Sequence, residues 1–474
     1  MFDLLVQDAT VVTVDRDRRI LDHASIAIMD GQIVDLGPEA HGAARKTINA
    51  AGMVALPGLV NCHTHVYQAL IEGIGYDMHF DPWNWRFLFP IVSKMGPDDA
   101  EASALLAALE MIKTGTTTVS DHWYLHTNFE NVRRVAQAFR RAGIRHHCVY
   151  GLLDQTFAGE RIESEYMTMI QREDALIADA TDFVRSWHKK GLTTVALGPG
   201  STEDTSRRLM RKTVEMAKDL GLSVATHVAG WAEIVSTSVK QFGMRDLEYV
   251  HSIGLTGPKA IIIHAVWLSD REINILVETD SKVVHCPVAN MHLAYGVSPV
   301  SQLLARGVTV GLGTDGAASY TYDLFEVAKT AAMLQKVVHL DTEAVTAEQA
   351  LEMATIGGAG VLGLNSEIGS LEPGKRADLI LLDFDQPHLM RTGRLVPKIV
   401  YSARGSDVAT VIIDGQIVME NRQLRTLDER SILNRANEVS KELMKKAGPE
   451  TAALLNAPWP TSGAAWRGSL IRKA

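Results

Sequence analysis

The spacing of apolar residues changes twice along the chain. Residues 1–57 contain short runs in which apolar and polar residues alternate, and the pair Asp30-Gly31 lies between two of these runs like a hairpin turn. Residues 375–426 repeat this pattern. We expect the two ends of the chain to pair into one small β-sandwich domain.

Between these ends, strand-like apolar runs alternate with amphipathic helical segments. The helices are predicted near residues 129–142, 164–189, 204–219, 243–252, 270–279, 299–306 and 322–337. Strands that alternate with helices of this length are typical of parallel βαβ units, and about eight units over roughly 300 residues favour a closed barrel. The sequence therefore predicts an α/β fold in which a (β/α)8 TIM-type barrel over residues 58–374 forms the catalytic domain beside the small β-sandwich. Residues 427–474 are predicted to form a C-terminal helix and a tail.

Composition and charge narrow the choice of partner. The chain has 474 residues, of which 46% are hydrophobic, and its formal net charge is -9 with no run of Lys or Arg. A phosphate-backbone partner requires a basic surface, so nucleic acid is disfavoured and a small-molecule substrate is expected. Neither a leader-like start nor a stretch of about 18 apolar residues occurs, which predicts a cytoplasmic protein without a membrane partner. The three widely spaced cysteines are expected to be reduced.

Histidines and one aspartate follow the predicted barrel strands. In LPGLVNCHTHV, His63 and His65 are two residues apart, so both side chains point to the same side of an extended backbone and suit one metal ion. An isolated pair of this kind is more often explained by a buried core histidine. Here, however, further candidates also end predicted strands, namely His227, His264, His285 and Asp315. The carboxyl ends of barrel strands converge on one face, where active sites of this fold are built.

This donor set predicts a catalytic metal site. Imidazole and carboxylate ligands without thiolate fit zinc, iron or manganese, and three histidines with one aspartate leave a position open for water. Such a cation lowers the pKa of bound water to near neutrality and so provides a hydroxide nucleophile. The reaction class is therefore metal-assisted hydrolysis.

The motifs together resemble those of a known family. PGLVNCHTH, GTTTVSDH, ATH, IIIHA, HCPVANMHLAYG, GLGTDGAAS, EMAT and IGSLEPGKRADLILLD are similar to the motif series of the amidohydrolase superfamily. Within it they resemble the branch of aminohydrolases and chlorohydrolases, which includes guanine, 8-oxoguanine and adenosyl-homocysteine deaminases and triazine hydrolases. The stretch from EMAT to VMENRQL, with AWRGSL near the end, resembles atrazine chlorohydrolase and its melamine-deaminating relatives.

The resemblance implies roles for individual residues. His63, His65, His227 and Asp315 would bind one divalent metal ion, zinc foremost, with iron or manganese as alternatives. His264 would hold the nucleophile or the substrate, and Asp315 would pass a proton from water toward the leaving group. No lysine occurs in TTVALGPG or HHCVYGL, where relatives with two metal ions carry a bridging lysine, so a mononuclear site is implied. Members of this branch are often homo-oligomers, which implies the same here.

The chain departs from the family pattern at two positions. Deaminases of this branch usually carry Glu three residues after the third histidine to protonate a ring nitrogen, whereas THVAGWAE has Gly230 there. Glu233 lies one helical turn further on and is predicted to be a catalytic residue that acts through a water; the alternative is a solvated carboxylate in the first turn of a helix. Tyr320 stands in GAASYTYD where relatives commonly have Asn.

Further residues are predicted to bind the substrate. Gln68 follows the two histidines by one turn, and the aromatic segment 76–87 suggests a pocket wall for a flat substrate, although packing against a loop explains it equally well. The predicted substrate-binding residues are Gln68, Trp83, His122, His285, Asn290 and Tyr320.

Three functions are compatible with this pattern. The leading hypothesis is a hydrolase that attacks an sp2 carbon of a planar nitrogen heterocycle, such as a triazine, purine, pterin or pyrimidine, and releases ammonia, amine or chloride. The second is hydrolysis of an acyclic urea, carbamate or thiocarbamate, which would not need a donor at position 230. The third, a catalytically silent scaffold, is disfavoured because all four ligands and His264 are present.

Overall fold

The computed structural model describes residues 1–155, 164–390 and 392–455. The predicted tail beyond residue 455 lies outside the described residues. Seventeen strands form two sheets in this part of the chain. No helix in the described segments is long and apolar enough to cross a bilayer.

Eight parallel strands form the barrel, and each pairs with its neighbour in sequence. An isolated bridge between Thr64 and Asp315 brings the last strand back to the first. Several of these strands are buried along their whole length, as expected for a parallel sheet that is covered by helices outside and filled by side chains inside. The strands are β6 (Leu59–Thr64), β7 (Thr116–Trp123), β8 (Arg145–Leu152), β9 (Thr193–Pro199), β10 (Val224–Val228), β11 (Ala260–His264), β12 (Lys282–His285) and β13 (Val310–Leu312).

The chain ends form a second, mixed sheet with its own apolar core. Its strands are β1 (Phe2–Val12), β2 (Ile20–Met29), β3 (Gln32–Gly37), β4 (Ala44–Asn49), β5 (Met53–Pro57), β14 (Leu379–Asp383), β15 (Val408–Ile413), β16 (Gln416–Glu420) and β17 (Gln423–Leu424). Antiparallel pairing of β5 with β14 unites the two ends. The predicted barrel with a β-sandwich from both chain ends is confirmed; the exact domain boundaries at 57/58, 374/375 and 426/427 remain predictions.

Helices cover the barrel and cap its ends. The α-helices of eight or more residues are Pro97–Lys113, Glu130–Ala142, Glu173–Trp187, Arg207–Leu220, Ala232–Phe242, Asp270–Thr279, Leu324–His339, Ala347–Ala354 and Glu429–Lys446. The shorter α-helices are Phe80–Pro82, Phe89–Val92, Ser164–Met167, Asp246–Ser252, Pro287–His292, Val300–Ala305, Ile356–Val361, Leu395–Tyr401 and Pro449–Leu455. A π-helical turn spans Trp83–Leu88, and 3-10 turns span Val66–Ile71, Pro387–Leu389 and Gly405–Asp407.

Local sequence explains where these helices begin and end. At Asp270–Thr279, the hydroxyl of Ser269 accepts a hydrogen bond from the N–H of Glu272, and the carboxylate of Glu272 accepts one from the N–H of Ser269. This reciprocal cap fixes the first turn, so the predicted bounds 270–279 are correct. The segment predicted near 164–189 is instead two helices, and Ala232–Phe242 was not among the predicted helices.

Candidate metal centre and its cavity

Four buried donors meet at the carboxyl ends of the barrel strands. His63 lies on β6 and His65 directly follows it, His227 lies on β10, and Asp315 follows β13. All four residues are at most 7% exposed. The alternation of β6 and the convergence of strand ends therefore bring together residues that are up to 252 positions apart in sequence, between His63 and Asp315.

The distances between these donors fit one metal ion. Nε2 of His227 lies 3.3 Å from Nε2 of His63 and 3.3 Å from Nε2 of His65. Oδ1 of Asp315 lies 3.4 Å from each of the same two nitrogens. Neighbouring donors that each lie about 2.0–2.1 Å from one ion are separated by about 3.3–3.4 Å in tetrahedral geometry, so these four distances are compatible with donors that share an ion. The residues present thus fit a divalent metal ion.

Backbone carbonyls orient two of the imidazoles. The Nδ1–H of His65 donates to the carbonyl of His122, and the Nδ1–H of His227 donates to the carbonyl of Gly200, each at 2.7 Å. A proton held on Nδ1 leaves the lone pair of Nε2 free for a metal. Burial lowers the pKa of His65 well below its usual value and the pKa of His227 to about 4. Both rings are therefore neutral at physiological pH, as metal binding requires.

The backbone of Asp315 is hydrogen-bonded to the first barrel strand, β6. The hydroxyl of Thr64 donates to the carbonyl of Asp315 at 2.7 Å, and the N–H of Asp315 donates to the carbonyl of His63 at 3.0 Å. Asp315 has a φ of +62°, in the left-handed region, which residues with a β-carbon seldom adopt. The surrounding bonds hold this unfavourable backbone in place, as is common at active sites.

His264 lies beside the four donors. Its ring is stacked on that of His227, with a centroid distance of 5.4 Å. Its Nδ1–H donates to Oδ1 of Asn290 at 3.0 Å, so Nε2 is free on the other edge of the ring. Burial lowers the pKa of His264, which keeps the ring neutral.

A cavity opens above these donors. Its walls include His65, His227, His264 and Asp315 together with an aromatic set: Phe80, Trp83, Tyr124, Trp231 and Tyr295. Trp83 begins the π-helical turn Trp83–Leu88, a local irregularity that is frequent at functional sites. Aromatic walls around a few convergent polar groups are typical of a small-molecule site.

The predicted substrate-binding residues occupy different positions. Gln68 and Trp83 line the cavity, and Oδ1 of Asn290 contacts His264 from behind. Oε1 of Gln68 accepts the N–H of Ala317 at 2.7 Å, so this side chain also holds the loop after Asp315.

Three further predicted residues, like Asn290, are not among the residues that line this cavity. The ring of His122 lies 5.3 Å from that of His227 and nearly parallel to it, with Nε2 against the carbonyl of Gly198. His285 is fully buried at the end of β12. Tyr320 is 38% exposed and its ring contacts His292. Their predicted roles in substrate binding have no further support from this geometry and stay predictions.

The region around Gly230 is tightly packed. A β-carbon at position 230 would lie 3.1 Å from Cδ2 of His264, closer than most side-chain contacts. Glu233 is exposed in the first turn of Ala232–Phe242 and lines an outer recess together with Trp231 and Glu203. Its predicted role in proton transfer stays a prediction.

Several residues of the cavity wall were not predicted from the sequence, namely Tyr124, Ser201, Asp204, Trp231 and Tyr295. One signal was available for Asp204. The polar residues 201–204 follow β9 after a single glycine, at the end of the barrel where reactive residues lie. Asp204 is 2% exposed, and burial raises the pKa of its carboxyl to about 7.

Comparison with known proteins agrees with this architecture. A family model described as "Amidohydrolase family" matches residues 54–418. A 5'-deoxyadenosine deaminase from Methanosarcina acetivorans is 34% identical over 94% of this chain and 100% of its own length. The crystal structure of an adenosine deaminase from Xanthomonas campestris with bound zinc has a TM-score of 0.88 and 28% identity, and the match covers 94% of this chain and 99% of that one.

A triazine hydrolase shares the fold. Atrazine chlorohydrolase from Arthrobacter aurescens, in complex with zinc, superposes with a TM-score of 0.84 at 23% identity over 92% of this chain and 100% of its own. The predicted resemblance is confirmed at the level of the superfamily, and the relative compared above at 34% identity is a nucleoside deaminase. This chain belongs to the amidohydrolase family.

Proposed function

We propose that this protein is a hydrolytic deaminase or dechlorinase of a planar nitrogen heterocycle that uses one zinc ion. The observation that supports this most directly is the set of four donors beside an aromatic cavity, in which His227 and Asp315 each lie 3.3–3.4 Å from His63 and His65. A structural metal site would be closed, whereas this one borders a cavity.

His63, His65, His227 and Asp315 would hold the ion. When bound, zinc acidifies water so that a nucleophile is available at neutral pH. Zinc is favoured over iron or manganese by its presence in the Xanthomonas campestris deaminase, and histidine nitrogens with a carboxylate oxygen are ligands that zinc accepts.

Protein groups would handle the protons and the substrate. His264 lines the cavity, and its Nε2 is not used in the bond to Asn290. This nitrogen can hydrogen-bond the attacking oxygen or the substituent on the carbon that is attacked. Asp315 can accept a proton from water and pass it to the leaving group, because a carboxylate oxygen remains beside the one that faces His63 and His65.

The cavity wall favours a flat substrate. Five aromatic side chains offer stacking faces, and the relatives include deaminases of 5'-deoxyadenosine and adenosine. Amino-substituted purine nucleosides are therefore the first substrates to test, followed by aminotriazines, chlorotriazines and pterins.

A second candidate function rests on Gly230. A substrate without a ring nitrogen, such as a urea, carbamate or thiocarbamate, needs no proton donor at that position, so loss of the family glutamate fits such a reaction.

The test is a substrate panel with zinc-loaded protein. Release of ammonia, chloride and amine would be measured for aminopurine nucleosides, triazines, pterins and aryl ureas, with Asp315→Asn as the inactive control. Turnover of at least one heterocycle, lost in that variant, supports the proposal. Turnover of ureas alone would favour the second candidate, and a protein that binds well under one equivalent of zinc and is inactive throughout would be a scaffold.

A further inference from the structure

The cavity contains a buried carboxyl group that neither the family motifs nor the ligand set explains. Asp204 lies in the loop after β9 and lines the same cavity as His65, His227 and Asp315. It is 2% exposed. A buried carboxyl costs free energy unless it is hydrogen-bonded or neutral, so its presence beside a reaction site calls for a reason.

Hydrogen bonds fix the orientation of this carboxyl in the cavity wall. The N–H of Ser201 donates to Oδ1 of Asp204 at 2.6 Å, and the hydroxyl of Thr205 donates to the same oxygen at 3.0 Å. Because both bonds end on Oδ1, a proton on this group is carried by Oδ2.

Position 200 is adapted to this arrangement. A β-carbon there would lie 2.5 Å from Oδ2 of Asp204, a distance that real β-carbons do not show. Glycine at 200 is therefore required for the carboxyl to lie where it does. The carbonyl of the same Gly200 accepts the Nδ1–H of His227, so Asp204 packs against the residue that orients a metal ligand.

We infer that Asp204 is the catalytic residue that supplies a proton to the ring nitrogen of the substrate, the role that Gly230 leaves vacant. This inference rests on the proposed function and goes beyond it by assigning the proton donor. The exposed Glu233 is the competing candidate.

The oxygen of water bonds to the ring carbon, the electron pair of the adjacent C=N bond moves to nitrogen, and the proton on Oδ2 of Asp204 goes to that nitrogen. The exocyclic C–N bond then breaks. Of the two protons of water, one leaves with the amine to give ammonia and one restores the Asp204 carboxyl. The products are the oxo heterocycle and ammonia.

The surroundings keep this group protonated near neutrality. Burial raises the pKa of Asp204 to about 7, and the Asp154 carboxylate, which holds Ser206, adds to this effect. Glu203 adjoins it in sequence, and Tyr124 faces it across the cavity. Because the acid form is the donor, turnover should fall as the pH rises through this pKa.

Two measurements test the inference. In the zinc-loaded protein without substrate, the infrared difference between wild type and Asp204→Asn should show a protonated carboxyl at pH 6 that ionises near pH 7. On an accepted heterocycle, Asp204→Asn should lose about 100-fold in kcat with little change in KM, and the alkaline limb of its pH profile should vanish. Asp204→Glu should keep the limb at an altered pH, and the exposed Asp219→Asn serves as control.

Distinct outcomes separate the two proposals. The inference would be overturned if the Asp204 carboxyl is fully ionised at pH 6. It would also be overturned if the alkaline limb of the pH profile survives in Asp204→Asn and disappears in Glu233→Gln. If wild type turns over no heterocycle, the proposed function fails, and with it the assigned role of Asp204, whatever the infrared result. If Asp204→Asn does not fold, Gly200→Ala replaces it. Loss of the alkaline limb of the pH profile in Gly200→Ala, with zinc retained, supports the inference, and an unchanged pH profile in that variant contradicts it.

Discussion

The Nδ1–H of His264 donates to Oδ1 of Asn290 at 3.0 Å, and both side chains are buried. This single bond fixes which nitrogen of the imidazole carries the proton and which one can act on the substrate. Asn290 was predicted to bind substrate, yet its contact is with His264, which makes it a candidate positioning residue.

Asn290→Ala should lower kcat by roughly 10- to 100-fold, because the ring of His264 loses its orientation. Zinc content should stay at one equivalent. Asn290→Asp, which keeps the acceptor, should recover part of the rate. Equal rates for Asn290→Ala and wild type would show that other contacts orient the ring.

His264→Asn should cost about 100-fold or more in kcat, the scale of losing a general acid-base group or an oriented dipole. Metal content, measured by elemental analysis after dialysis, should be unchanged because His264 is not among the four ligands. Zinc lost together with activity would place His264 in the ligand set instead.

His227→Ala should abolish activity and release the metal, because it removes one of four donors from an open site. Zinc should also raise the melting temperature of wild type and have no such effect on this variant. The exposed His41→Ala is the matched control and should retain full zinc. Full zinc occupancy in His227→Ala would refute the ligand assignment.

Gly230→Ala should lower kcat by about tenfold, since a β-carbon 3.1 Å from Cδ2 of His264 would displace that ring by a few tenths of an ångström. Gly230→Glu should lower it further, because steric bulk outweighs any added proton donor. A gain in turnover for Gly230→Glu would show that the family's donor position is still functional here.

Asp378→Asn should destabilise the fold by about 1.5–3 kcal/mol, because the buried guanidinium of Arg145 loses charged hydrogen bonds and keeps the Asp414 carboxylate, at 3.3 Å, as its anionic partner. The guanidinium of Arg145 at the start of β8 donates to both carboxylate oxygens of Asp378, at 2.9 and 3.0 Å, and so joins the barrel to the small sheet. Urea unfolding would measure the change. Asp182→Asn, which breaks an exposed pair with Arg133, should stay within about 1 kcal/mol of wild type.

The sequence by itself determined the architecture and the ligand candidates. Alternation of strands and amphipathic helices predicted the barrel, because burial of apolar faces in a parallel sheet leaves a periodic signature. The predicted ligands His63, His65, His227 and Asp315 stood out because metal chemistry limits the residue types and the fold limits where they lie. These signals are local, and each one can be read from a few residues.

Only the tertiary structure decided which other groups face the cavity. Asp204 and Glu233 both follow barrel strands in sequence, yet one is buried in the cavity and the other is exposed in an outer recess. The difference depends on the close approach of Asp204 to Gly200 and on the direction of the helix that begins at Ala232. The backbone path of the loop after β9 and the packing of that helix set these positions, and the residue types alone do not specify them.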